Sequence, residues 1–178
     1  ADAGGPGTGV PAPHHLLNII TNVLESQGAK LGRAAEVYAK TGIAEKDGTI
    51  ITFRSKYTYN LLRPVTYIQR LIDPTWLPYL VTPPYPEYPS GLMAIIAPVA
   101  QVLIREFGDI AVTDDTYSWR GLAPRQYASL SQMSEEAALS RVYAGIHFRS
   151  TQYASIDLGK QLGNVIANIN LVPQYSKY

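Results

Sequence analysis

The apolar positions along this chain recur at helical spacing in one stretch after another. Leu16, Ile19, Ile20, Val23 and Leu24 stand three and four apart behind His14-His15 and stop at Gly28, which predicts an amphipathic helix over 16–27. A second helix is expected over 31–44. A third is expected over 46–62, capped by Asp47 and carrying an apolar ridge of Ile50, Phe53, Tyr57 and Leu61. A turn or two of helix follows over 65–72. Pro74, Pro78, Pro83, Pro84, Pro86 and Pro89 then exclude both long helix and central strand. The expectation there is a rigid loop leading into a helix over 90–107, begun by Ser90 as N-cap and ended by Gly108. Beyond a polar loop over 109–125, helices are predicted over 129–145, capped by Ser131 or Ser134, and over 152–169. On the last of these Ile156, Gly159, Leu162, Gly163 and Ile166 share a face, and the glycines let it approach the preceding helix closely. The sum is an all-α helical bundle, with no repeat of fixed period.

Composition narrows the picture. With 178 residues and 46% hydrophobic content the chain suits one globular domain with a real core, taken as 14–172. The Gly/Pro-rich segment 1–13 reads as a flexible arm and 173–178 as a tail. Fifteen basic against fourteen acidic residues leave a net charge of +1, which gives no field for nucleic acid or an anionic membrane. No apolar run approaches the roughly 18 residues that a membrane span needs. There is no cysteine, so thiolate metal sites and nucleophiles are excluded. Only 16% of residues are charged and 13 are tyrosines, a surface suited to a homo-oligomer or a partner chain, although tyrosines also fill ordinary cores. A first residue other than methionine fits a processed precursor, with a secreted or periplasmic location expected.

Candidate chemistry then falls on six residues. Lys56 and Arg63 are seven apart, so on a continuous helix they would face within roughly 20° of each other. Ser90 and Gly91 would place amides at a helix start, where the macrodipole attracts anions. Arg141 offers a bidentate fork for phosphate-like oxygens and His147 an imidazole that can attack or ligate the central atom. An unbroken helix would turn Arg141 and His147 roughly 120° apart, so Gly145 is expected to break it. Asp114-Asp115 lacks the spacing of a calcium loop, and His14-His15 is read as a solvated helix start.

The order Lys56-x6-Arg63-Pro64, then Pro89-Ser90-Gly91, then Ser140-Arg141-x5-His147 resembles the tripartite signature of the vanadium-dependent haloperoxidase and type 2 phosphatidic acid phosphatase superfamily. In detail it resembles the soluble bacterial haloperoxidase branch. The resemblance implies a helical bundle, apparently only the C-terminal half of the usual family length, the other half being missing or on another chain. Lys56, Arg63, Arg141, the Ser90 hydroxyl and the Gly91 amide would hold the oxygens of vanadate or phosphate. His147 would be the phosphatase nucleophile or, with vanadate as cofactor, the metal ligand. Phe53 and Tyr85 would border a halide or organic-substrate side.

Two positions depart from that pattern. The acid-base histidine that follows Ser-Gly is Leu92 here, and leucine transfers no proton. The phosphatase aspartate that orients the second histidine is Thr151. General acid-base help contributes about 10²–10⁴ in rate, so the expectation is an oxyanion-binding domain with weakened or lost catalysis. An active peroxidase or phosphatase and a self-assembling structural subunit are the alternatives.

Overall fold

The structure is a computed structural model that describes residues 9–171. The tail over 173–178 and most of the arm over 1–13 therefore lie outside the described residues. The elements run α1 (Ala12–Ser26), α2 (Leu31–Tyr59), α3 (Pro64–Leu71), α4 (Met93–Phe107), β1 (Val112–Asp114), β2 (Arg125–Tyr127), α5 (Leu130–Tyr143) and α6 (Arg149–Ala167), with one 3-10 turn at Ser118–Arg120. Helix α1 takes in 12 and 13, which the sequence assigned to the arm. The small β1–β2 ribbon pairs Val112 with Tyr127 and Asp114 with Arg125 inside the segment expected to be loop.

Helix α4 is the axis of the bundle, and α2 and α6 pack against it and against each other. Its burial is close to complete over Met93, Ala94, Ile95, Ala97, Val99, Ala100, Val102 and Leu103. Pro98 lies inside it and lacks an amide hydrogen, so the Ala94 carbonyl one turn earlier loses its helical partner. That carbonyl faces Gly48 of α2, where an added Cβ would sit 1.9 Å from the Ala94 oxygen. From α6, added Cβ atoms would meet the Ala97 side chain at 2.4 Å from Gly159 and the Pro98 carbonyl at 2.6 Å from Gly163. The two glycines of α6 thus admit α4, not the 129–145 helix that the sequence suggested. The stripe of α1 is buried as patterned, with Leu16, Ile19, Ile20, Val23 and Leu24 closing one end of the core.

Helix α2 departs most from expectation. The predicted helices over 31–44 and 46–62 are one 29-residue helix, and Asp47 lies within it rather than at a cap. Its apolar ridge also faces outward: Ile50, Phe53, Tyr57 and Leu61 are exposed by 43%, 38%, 65% and 44%. The buried face is instead Val37, Lys40, Thr41, Ala44, Gly48, Thr52 and Lys56. Small side chains were selected against α4, because the interhelical gap there admits little more than backbone. Lys40 is held by Glu36 at 2.8 Å, by Glu106 at 3.0 Å and by the Ala167 carbonyl at 3.0 Å, tying α2 to the ends of α4 and α6. Its burial would lower its pKa, but the two carboxylates outweigh that and raise it.

Other boundaries moved by a few residues. Helix α5 is capped by Ser129, whose hydroxyl accepts from the Gln132 amide at 3.0 Å, not by Ser131 or Ser134. His15 Nε2 donates to the Asp114 carboxylate at 2.7 Å and so is a pinned side chain, not a solvated one. Asp115 takes the amides of Asn18 and Asn22, so the acidic pair anchors α1. Among the described residues no group of three metal-binding side chains gathers, and no helix is long and apolar enough to cross a membrane.

Candidate functional site

The site forms where the proline-rich loop meets the ends of α2, α5 and α6. Lys56 lies in the last turn of α2, which stops at Tyr59 with Asn60 in the left-handed region at φ 49°. Arg63 is therefore not on the same helix as Lys56. It sits in extended conformation at the N-cap of α3, and the bend, not helical periodicity, turns both cations onto Tyr85. The Lys56 ammonium stands 5.0 Å and the Arg63 guanidinium 5.2 Å from the centre of that ring. Phe53, one turn before Lys56, meets Tyr85 edge-on at 5.4 Å, so the two predicted border aromatics are in contact.

Lys56 is fully buried. Its ammonium donates to the carbonyls of Pro86 at 2.8 Å, Glu87 at 3.0 Å and Pro89. Burial, reinforced by the neighbouring Arg63 charge and opposed by Glu87, pushes its pKa down to about 8. Arg63 bridges the segments: Nε donates to the Tyr85 carbonyl at 3.0 Å, and Nη1 donates to the Ile146 carbonyl at 2.8 Å and to His147 Nε2 at 3.1 Å. Its second terminal nitrogen, Nη2, is buried without a hydrogen-bond partner among the described residues.

Ser90 does not cap α4. The helix starts at Met93 with Leu92 at the N-cap, and the Ser90 carbonyl accepts from the Ala94 amide at 3.0 Å. The Ser90 amide is taken up by Ser155 Oγ at 2.9 Å, whereas its fully buried hydroxyl has no partner among the described residues. An added Cβ on Gly91 would lie 3.9 Å from the Tyr85 hydroxyl, so Tyr85 reaches over the Ser-Gly turn.

Gly145 breaks the chain after α5, as its position suggested, with φ at 75°. Trp76 and Pro78 also press to within 3.0 and 3.1 Å of where its Cβ would be, so conformation and space both require glycine. The break carries His147 back against the loop. Arg141 lines a cavity of about 990 Å³ together with Leu92, Ile96, Leu16 and Tyr79. The structure thus brings Lys56, Arg63, Tyr85 and His147 into one cluster and places Arg141 and Leu92 on a shared cavity wall.

Glu87 is the residue that sequence reasoning missed. Its carboxylate is fully buried and faces His147 Nδ1 at 2.7 Å, the Phe148 amide at 3.0 Å and the Thr151 hydroxyl at 2.7 Å. Burial raises its pKa, but these donors outweigh it and the carboxyl is held below its usual range. His147 is lowered by burial, with Arg63 and Lys56 adding to the fall and Glu87 opposing it. A signal did exist: Glu87 is the sole charged residue from Pro74 to Ile104, and a lone charge in an apolar run needs a buried partner.

Comparison with known proteins bears on this arrangement. A family model described as the VCPO second helical-bundle domain matches residues 69–172, more than half of the chain. The chain belongs to the vanadium haloperoxidase superfamily. The crystal structure described as the first bacterial vanadium-dependent iodoperoxidase is similar at 34% identity and a TM-score of 0.82, covering 89% of this chain and 39% of that one. A holo-type bacterial vanadium-dependent chloroperoxidase matches at 21% identity and 0.71, and its apo-type at 20% and 0.70, each over 88% of this chain and 40% of theirs. At that identity these two share the fold. This haloperoxidase-like chain spans about two fifths of the length of the solved relatives. A comparison with curated protein sequences finds no match.

Proposed function

We propose that this haloperoxidase-like domain holds a tetrahedral oxyanion, vanadate or phosphate, with weakened or lost turnover. The supporting observation is a pair of buried donors without a partner among the described residues, Arg63 Nη2 and Ser90 Oγ. A buried donor left unpaired costs about 1–3 kcal/mol, and an anion bearing several oxygens would satisfy both. The donor set fits the group: Arg63 Nη2, Arg141, the Ser90 hydroxyl and the Gly91 amide would hold the oxygens and His147 would ligate the centre, while Lys56, whose three ammonium hydrogens go to the Pro86, Glu87 and Pro89 carbonyls, would contribute its charge rather than a contact. Bound vanadate would supply Lewis acidity toward peroxide, while bound phosphate would leave an anion-holding domain.

Leu92 supports the loss of turnover. It stands on the cavity wall beside Ile96, one turn along, so the position where the superfamily pattern carries an acid-base histidine is aliphatic. The proposed site would keep groups that hold an anion, Arg63, Ser90 and His147, and at Leu92 would lack the one that moves a proton. Active peroxidation or phosphate-ester hydrolysis is the alternative enzyme reading.

The test is calorimetric titration of the full chain with orthovanadate and with phosphate, followed by assays with bromide and peroxide and with a chromogenic phosphate ester. Saturable binding by the wild type is expected, weakened about tenfold or more in Arg63→Ala and Arg141→Ala, since a charge-assisted hydrogen bond contributes about 1.5–3 kcal/mol. Absence of binding by the folded wild type sinks the pocket reading. Binding with rapid turnover replaces it by the enzyme reading.

A second reading, a self-associating subunit, has its own observation. The apolar ridge of α2 faces outward, and Leu71 and Ile72 at the α3 end are exposed too; a second copy of this chain would cover such surface.

A further inference from the structure

His147 is constrained from both sides by groups of fixed hydrogen-bonding sense. The Glu87 carboxylate accepts from the Phe148 amide at Oε1 and from the Thr151 hydroxyl at Oε2, and with both oxygens accepting, the hydrogen of the Nδ1···Oε1 contact at 2.7 Å belongs to the imidazole. The guanidinium of Arg63 only donates, so the Nη1···Nε2 contact at 3.1 Å requires a lone pair on Nε2. Both contacts select one tautomer of a neutral ring, with the proton on Nδ1 and the lone pair of Nε2 turned toward Arg63.

We propose that Glu87, delivered by the proline-rich loop and steadied by Thr151, is the positioning carboxylate of His147, in place of the aspartate that the superfamily pattern carries at the Thr151 position. The swap is complementary. Thr151 lies on the first turn of α6 and donates its hydroxyl to Oε2 at 2.7 Å, while the Phe148 amide shares Oε1 with the imidazole. An aspartate at 151 beside an intact Glu87 would set two carboxylates against each other in a buried site, so a hydroxyl is the compatible residue. Glu87 is itself anchored, since its amide donates to the Leu61 carbonyl at 2.9 Å and its carbonyl accepts from Lys56. The loop can therefore hold the carboxylate in register with the imidazole. The consequence is that Nε2 carries the lone pair, which Arg63 Nη1 engages here and would have to release for the central atom of an oxyanion. In that last step the inference rests on the pocket reading above.

The decisive measurement needs no bound ligand. Nitrogen-15 NMR of the histidine rings in the full chain at neutral pH is expected to show His147 with its proton on Nδ1. A proton on Nε2 in the wild type overturns the proposal. Glu87→Ala is expected to shift population toward the other tautomer and to weaken phosphate and vanadate binding by about 10–100-fold, the usual effect of removing the carboxylate behind a ligating histidine. The double variant Glu87→Ala with Thr151→Asp is expected to restore the Nδ1-protonated form and most of the affinity. A loop anchor alone would not be rescued from α6, so failure of rescue with both single and double variants folded overturns the positioning role. Where Glu87→Ala does not fold, Thr151→Val removes only the Oε2 donor, and an unchanged ring spectrum and affinity in that variant count against the proposal. If the wild type bound neither anion while the tautomer still followed Glu87, the positioning role would stand and the oxyanion reading would fall.

Discussion

A buried ammonium surrounded by backbone carbonyls sets the behaviour of this site at the scale of single residues. Lys56 has its pKa lowered to about 8, first by burial and then by Arg63. An anion beside it would raise that value, so the complex keeps a proton that the free protein loses as pH rises through about 8. Binding then takes up a proton, and affinity falls by up to tenfold per pH unit above that point. Titration with molybdate, whose own charge is constant over this range, is expected to give a flat dissociation constant from about pH 7 to about pH 8 and a rising one beyond. Lys56→Met should flatten the alkaline limb, and a limb that persists in that variant excludes Lys56 as its source. The gathering of Lys56, Arg63 and His147 was legible in the sequence because the three stand in the order and spacing of the superfamily motifs. Glu87 was legible only as an unexplained charge, because its partners at Phe148 and Thr151 lie more than sixty positions along the chain.

At the scale of elements, the bundle is held by close approaches that depend on missing atoms. Pro98 frees the Ala94 carbonyl, and Gly48 is the residue that lets α2 lie against it. In an exposed helix a glycine-to-alanine change stabilises by about 1 kcal/mol. Here Gly48→Ala is expected to destabilise by about 1–3 kcal/mol, as overpacking does in a well-packed interior, and chemical denaturation compares it with the wild type. Gly42, on the same helix with nothing within 4 Å of its would-be Cβ, is the control: Gly42→Ala should stabilise. Helix periodicity revealed that 31–59 is helical, but not that it is one helix, that it stops at Tyr59, or which face is inside. The inward face was chosen by the shape of α4, and a small-residue face of Ala44, Gly48 and Thr52 reads as weakly patterned in any scale of hydrophobicity.

At the scale of the whole molecule, the outward ridge of α2 is the feature with the largest consequence. Ile50, Tyr57 and Leu71 are exposed by 43%, 65% and 68%, and apolar surface of this kind would favour association. Sedimentation of the full chain is expected to show a concentration-dependent rise in mass, abolished in an Ile50→Lys, Tyr57→Lys double variant that keeps its helical circular dichroism. A wild-type mass that stays monomeric across the concentration range removes the assembly reading and leaves the oxyanion reading intact.

The sequence by itself determined the helical class, the buried stripe of α1, the break at Gly145 and the superfamily, because each of these is written in local periodicity, local backbone freedom or motif spacing. Tertiary structure decided which face of α2 is core, how Lys56 and Arg63 converge across a helix end, and which carboxylate stands behind His147. Those are relations between segments brought together by packing against α4, and no local pattern encodes the distance between residues that only the folded chain makes neighbours.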